Sequence, residues 1–110
     1  MKNCIFCNIV NGTVKTVLLY ESELVVAFED INPQAATHIL IVPKRHIRDM
    51  NQFADEGSEY ISEVIKSISK VAKKFSLNEG YRIINNCGKD GGQEIFHLHF
   101  HLLSNKKIGQ

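Results

Sequence analysis

Asn86 to Leu103 reads NCGKDGGQEIFHLHFHLL, and its last seven residues set His97, His99 and His101 in strict alternation with Leu98, Phe100 and Leu102, closed by Leu103. In an extended strand successive side chains point to opposite faces, so this spacing predicts imidazoles on one face and large apolar groups on the other. Gathering titratable rings on one face gives no packing benefit that leucine would not supply better, so the pattern points to chemistry. Immediately upstream, Gly88, Lys89, Asp90, Gly91, Gly92 and Gln93 form a loop rich in residues that accept positive φ and let a ligand approach the backbone. The backbone amides of such a loop can hold an anion beside a nucleophile or a metal ligand.

Outward from this stretch, Tyr81 to Asn85 (YRIIN) reads as a strand for which Ile95 to Leu103 returns as the partner. His38 to Pro43 (HILIVP) is almost continuously apolar and β-branched, as expected of a central strand buried on both faces, and Pro43 ends its ladder. Val17 to Tyr20 and Leu24 to Phe28 are β-rich runs joined at Glu21, Ser22 and Glu23, which reads as a hairpin. Asp30, Ile31, Asn32, Pro33 and Gln34 then make a loop of the kind in which ligands are met. Helical spacing of Ile61, Val64, Ile65, Ile68, Val71, Ala72 and Phe75 predicts a long helix over roughly Asp55 to Leu77, its early acids and late lysines complementing the dipole. Ile5, Phe6, Ile9 and Val10 predict a short helix from Cys4, ended at Asn11 and Gly12. The polar tail from Ser104 to Gln110 is expected to fray. The sum is an α+β fold in one domain over residues 1–110: about five strands in a mostly antiparallel sheet, one long helix and a short N-terminal helix.

With 13 basic and 12 acidic residues the net charge is +1, so no bulk attraction to nucleic acid or to a membrane surface is expected, and any phosphate must be recognised locally. No apolar run approaches the roughly 20 residues that span a bilayer, and the N-terminus does not read as a signal peptide; a cytoplasmic protein is expected. Cys4 and Cys7 are spaced C-x-x-C while Cys87 stands alone. In a reducing compartment that spacing favours a metal or redox pair over a structural disulfide, but it needs further ligands to be decisive. His38, inside an apolar strand, reads as a satisfied core or supporting residue, and His46, after Lys44 and Arg45, reads equally as surface or as ligand. Two mechanisms could use the alternating rings. They could hold a catalytic zinc, or the middle ring could attack a phosphorus atom while its neighbours orient it and hold phosphate oxygens. The glycine loop favours the second, because phosphoryl or nucleotidyl transfer gains from amides aimed at an oxyanion.

HLHFHLL resembles the histidine-triad motif, His-φ-His-φ-His-φ-φ, and DGGQEIFHLHFHLL is similar to the nucleotide-binding (Hint-like) branch of the histidine triad (HIT) family rather than to its dinucleoside-polyphosphate hydrolase or aprataxin branches. The resemblance runs on through CIFCNIV, AFEDINPQAATHILIVPKRHI and YRIINNCG, and so covers nearly the whole chain. It implies a purine nucleoside 5′-phosphoramidate hydrolase in which His99 is the nucleophile and becomes transiently AMP- or GMP-linked. His101 would bind the phosphate and handle protons near it, Asn86 and Gln93 would polarise or position the phosphate, and Asp30 would accept hydrogen bonds from the ribose. Phe6, Ile9, Phe28 and Ile31 would form the apolar slot for the purine. The resemblance to bacterial relatives also implies a structural zinc on Cys4, Cys7, His46 and His97, so that His97 serves both as triad member and as ligand, with no cofactor required for catalysis. A homodimer is expected, its long helices and Tyr81 to Asn86 strands meeting across a twofold axis. The chain departs from the family pattern at Glu94, where some eukaryotic relatives have serine, and in a short tail without tryptophan; Cys87 has no assigned role. Two other functions stay open at this point: cleavage of dinucleoside polyphosphates, against which the DGGQ loop argues, and a purine-nucleotide-binding partner protein whose hydrolysis is vestigial.

Overall fold

The computed structural model describes residues 3–109; Met1, Lys2 and Gln110, at the ends of the expected domain and tail, lie outside the described residues. Strands β1 (Tyr20–Glu21), β2 (Val25–Glu29), β3 (Thr37–Pro43), β4 (Arg82–Ile84) and β5 (Phe100–Ser104) form one open sheet in the order β1-β2-β3-β5-β4. Every pairing in it is antiparallel. Helices α1 (Ile5–Val10), α2 (Met50–Phe53) and α3 (Ser58–Lys74) complete the architecture, and α3 is the long helix the apolar stripe predicts.

Alternation along the strands divides the interior into two layers. Val25, Ala27, Ile39, Ile41, Leu98, Phe100 and Leu102 turn to one face and pack on Val64, Ile68, Val71 and Ala72 of α3. Val26, Phe28, Leu40 and Val42 turn to the other face and pack on Phe6 and Cys4. Strand β3 is therefore covered on both sides, which is why HILIV lacks a polar alternation. The hydrophobic gain of about 1.5–3 kcal/mol for each large side chain so buried makes β2 and β3 the anchor from which the histidine strand hangs.

Several boundaries differ from the sequence reading, each for a local reason. Strand β1 is two residues long, and Val17, 81% exposed, has no layer to cover it. Helix α2 was not expected, although Asp49 caps it by accepting from the Gln52 N–H at 2.9 Å and Asp-x-x-Gln is a recognisable start signal. The turn closing α2, through Asp55 and Glu56, delays α3 to Ser58 behind the Gly57 cap. At its far end Ser76 donates to Lys73 and Leu77 to Ala72, which stops α3 at Lys74 rather than Leu77. Ile65 falls off the core stripe and is 48% exposed. Among its described residues the tail is tied down instead of fraying: Ser104 ends β5, Thr37 Oγ1 donates to the Lys106 carbonyl and accepts from the Ile108 N–H, and Ile108 packs on the α3-side core. Finally, β5 begins at Phe100, so His97 and His99 lie just before the strand while keeping its alternation. No helix among the described residues is long and apolar enough to cross a membrane.

Candidate functional site

With Leu98, Phe100 and Leu102 sunk into the α3-side core, His97, His99 and His101 emerge together on the opposite face. The His99 and His101 rings stand 5.1 Å apart, the His101 and His38 rings 5.1 Å apart, and Phe6 meets His99 edge-on at 5.0 Å. Hydrogen-bond partners assign each tautomer. His99 Nδ1 lies 2.8 Å from the His97 carbonyl, which can only accept, so Nδ1 carries the proton and Nε2 keeps a free lone pair. His38 Nδ1 accepts from the Gln34 N–H at 3.1 Å, so its proton sits on Nε2 and is donated to His101 Nδ1 at 2.8 Å. That leaves His101 with its N–H on Nε2. A lone pair on one ring thus stands beside a donor on the next. Burial pushes His99 below the usual imidazole range, and burial with the neighbouring His99 and His38 does the same to His101, so both rings are neutral at pH 7. Asp30 lies behind this row: Oδ2 is 3.5 Å from His38 Nε2, and Oδ1 accepts from the Asn32 N–H at 2.8 Å.

The fully buried His97 takes a different part. Its Nε2–H donates to the Pro43 carbonyl at 2.7 Å, leaving the Nδ1 lone pair aimed at Cys4 Sγ at 3.4 Å and Cys7 Sγ at 3.5 Å. With both nitrogens engaged, His97 has none left for a substrate, so of its two expected roles the geometry suits ligation. Cys7 Sγ is also 3.3 Å from His46 Nδ1, and the ligand atoms of Cys4, Cys7, His46 and His97 all lie within 4.8 Å of one another. A tetrahedral centre with metal–sulfur bonds of about 2.3 Å and metal–nitrogen bonds of about 2.0 Å has sulfur–nitrogen edges of about 3.5 Å, so these residues fit a metal ion. Burial and Cys4 push the Cys7 thiol up, and burial pushes His46 down and His97 down to about 4. Cys7, His46 and His97 are therefore neutral without a cation, and binding one releases the Cys7 thiol proton. Cys4 is also the cap of α1, its sulfur accepting from the Cys7 N–H at 3.3 Å, so the same residues start the helix and could hold the ion.

The glycine loop is cinched by side chains. Gly88 at φ 73° and Gly92 at φ 82° bracket a 3₁₀ turn over Lys89–Gly91, a backbone path that other residues rarely follow. Asn86 Nδ2 donates to the Gly91 carbonyl at 2.9 Å. Gln93 Oε1 accepts from the Gly88 N–H at 2.8 Å, while its Nε2 donates to the Arg48 and Ile95 carbonyls at 2.8 and 3.0 Å. Gln93 is buried and both its donor hydrogens are committed to the backbone, so it shapes the loop instead of facing a ligand. Of the expected slot residues, Phe6 and Phe28 pack edge-to-face at 5.7 Å with Ile9 against them. Ile31 stands outside that cluster, 91% exposed on the loop after Asp30. Sequence reasoning undervalued His38, whose signal is a lone imidazole in a doubly buried strand, and missed Asn85, whose Nδ2 donates to the His99 carbonyl at 3.0 Å.

Comparison with known proteins agrees with this geometry. A family model described as the HIT domain matches residues 11–108. The purine nucleoside phosphoramidase of Escherichia coli (strain K12) is 39% identical over 106 residues, covering 96% of this chain and 89% of that protein. Protein HitA of Neisseria gonorrhoeae is 38% identical over 103 residues, 94% of this chain and 96% of that protein. Among solved structures, a histidine triad protein from Clostridium difficile superposes with a TM-score of 0.89 at 43% identity, covering 100% of this chain and 96% of that one. A HIT family hydrolase from Legionella pneumophila Philadelphia 1 superposes with a TM-score of 0.88 at 40% identity, covering 96% of this chain and 95% of that one.

Proposed function

The chain belongs to the HIT domain family, and from that membership we propose that it hydrolyses purine nucleoside 5′-phosphoramidates, releasing AMP or GMP and an amine. The observation that carries the reading is the His99 ring, protonated on Nδ1 by its bond to the His97 carbonyl and so left with a neutral, nucleophilic Nε2 beside His101. Nε2 bonds to the α-phosphorus as the P–N bond breaks, and the nitrogen leaves with the bonding pair and is protonated as it departs. Water then attacks phosphorus and loses a proton, and the pair of the P–Nε2 bond returns to the ring. While the ring carries phosphorus it is cationic, and its Nδ1–H bond to the carbonyl strengthens, which favours the transition state over the ground state. His101 offers its Nε2–H to a phosphate oxygen, held in that tautomer by His38. Asp30 receives the ribose hydroxyls, Phe6, Ile9 and Phe28 form the base slot with Ile31 on the exposed loop after Asp30 as its outer residue, and Asn86 and Gln93 hold the loop that meets the phosphate. The similarity to the Escherichia coli phosphoramidase supports this choice of substrate.

The metal reading is that Cys4, Cys7, His46 and His97 hold a zinc ion. A closed Cys₂His₂ set has no open position, so zinc there would supply stability and not a catalytic water. The protein is read as cytoplasmic and dimeric, with a purine nucleotide as its partner. Steady-state hydrolysis of an adenosine 5′-phosphoramidate bearing a fluorescent amine, wild type beside His99→Ala, tests the reaction. Release by wild type alone is expected, with nucleotide affinity nearly intact in the variant. Release by both proteins, or by neither, sinks the reading.

A further inference from the structure

Asn85 lies one residue beyond β4, where pairing with β5 ends at Ile84↔His101. If the ladder continued, backbone from residue 86 would come opposite His99. Instead the chain turns away into the glycine loop, and the Asn85 side chain takes the place of the missing ladder bond, donating from Nδ2 to the His99 carbonyl at 3.0 Å. The next residue, Asn86, donates to the Gly91 carbonyl at 2.9 Å. Adjacent asparagines therefore hold the peptide of the nucleophile and the loop beside it from a common point on the sheet edge. The other ties on this segment come from different sides: Leu98 N–H to the Ile47 carbonyl at 2.6 Å, and the His99 ring to the His97 carbonyl at 2.8 Å.

We propose that Asn85 is a positioning residue for the phosphoramidate chemistry: through the His99 carbonyl it fixes the peptide plane, and hence the direction of Nε2, relative to the loop that Asn86 closes. The inference rests on the reading of His99 as nucleophile. Residues 97–99 stand outside the strand ladder, so their orientation depends on such side-chain ties. A nucleophile displaced on the order of 1 Å from its near-attack position can lose as much as ~10²-fold in rate, and a neutral hydrogen bond at the backbone is enough to govern a smaller displacement. Because Asn85 bonds a main-chain carbonyl and no expected nucleotide contact, its loss acts on the chemical step and leaves binding alone.

Asn85→Leu keeps the shape of the side chain and removes both polar atoms; Asn85→Asp keeps the shape and, ionised at neutral pH, has no N–H to donate. Both variants are expected to lose about tenfold in kcat with KM held within about twofold and the melting temperature within a few degrees. Long-range ¹⁵N NMR of the histidines adds a readout that turnover does not share: the His99 ring signals broaden or shift in Asn85→Leu while those of His38 stay in place. An unchanged kcat in Asn85→Leu overturns the proposal, as does a loss of kcat that tracks a falling melting temperature or appears in KM instead. If wild type turns over no phosphoramidate, the proposed reaction fails by itself and the NMR comparison decides on Asn85: unchanged His99 signals overturn its role, and displaced ones support it.

Discussion

His101 has to be neutral for its Nε2–H to face a phosphate while Nδ1 accepts from His38, and the site makes it so. Burial lowers its pKa first, the neighbouring His99 and His38 lower it further, and Asp30 partly offsets them. An NMR titration of His101 is therefore expected to give a midpoint below 6.5, and Asp30→Asn should move it lower still by removing the opposing carboxyl. A midpoint at or above 6.5 would contradict the tautomer assignment. The same shift is a statement about stability. Below 6.5 the unfolded chain takes up a proton that the folded ring resists, so this contribution is fully present above pH 6.5 and is lost as pH falls through the lowered folded value. His38 is the residue whose part the sequence hid. Its neighbours in HILIV are all core, and nothing local distinguishes a buried imidazole that orients another ring from one that merely packs; the bond to His101 joins residues from different strands.

Among the elements, α1 and α3 depend on their ends in opposite ways. Six residues are too few for a helix to stand alone, so α1 relies on the Cys4 cap, on Phe6 packing and on the metal its cysteines could hold. A chelator is expected to remove about one zinc per chain and lower the melting temperature by several degrees, with turnover persisting at 25 °C while the fold is intact. Turnover that stops on zinc removal from a still-folded protein would overturn the structural assignment. In α3 the stop is written in hydrogen bonds: Leu77 to Ala72 at 3.0 Å and Ser76 to Lys73 at 3.1 Å, with Leu77 buried beside Ala72. This closure needs a left-handed residue, and Ser76 supplies it at φ 57°, a conformation that costs a non-glycine residue about 1–2 kcal/mol. Ser76→Gly should stabilise the protein by roughly 0.5–1 kcal/mol, a rise of a few degrees in thermal melting, and Ser76→Val should destabilise it. Equal melting of all three proteins would show that the strain is relieved elsewhere. Helix spacing alone could not place this boundary, because Phe75 and Leu77 continue the apolar pattern past the point where the backbone turns.

For the molecule as a whole, the continuous apolar runs of β2 and β3 and the alternation in HLHFHLL made the layered antiparallel sheet legible, and the metal group was legible only because the resemblance brought together residues that lie far apart in the chain. What stayed hidden were contacts between distant backbone groups: Thr37 tying down the tail, Gln93 spent on Arg48 and Ile95, Asn85 on His99. The strand order places β4 at an open edge, and there the molecule carries an apolar surface that its own fold leaves bare. Tyr81, Ile83 and Ile84 are exposed at 38%, 39% and 36%, and a cavity of about 400 Å³ between β4 and the tail, lined by Tyr81, Arg82, Leu103 and Lys106, opens beside them. An unpaired strand edge of this kind invites another chain, and in the proposed homodimer a second copy meeting it about a twofold axis would pair β4 with β4 and cover the isoleucines of both. Sedimentation equilibrium at micromolar concentration is expected to give twice the chain mass. Ile83→Glu, which sets like charges against each other across that axis while leaving the α3-side core untouched, should give a folded monomer. A wild type that sediments as a monomer would remove the dimer, and a variant that remains dimeric would move the interface away from β4.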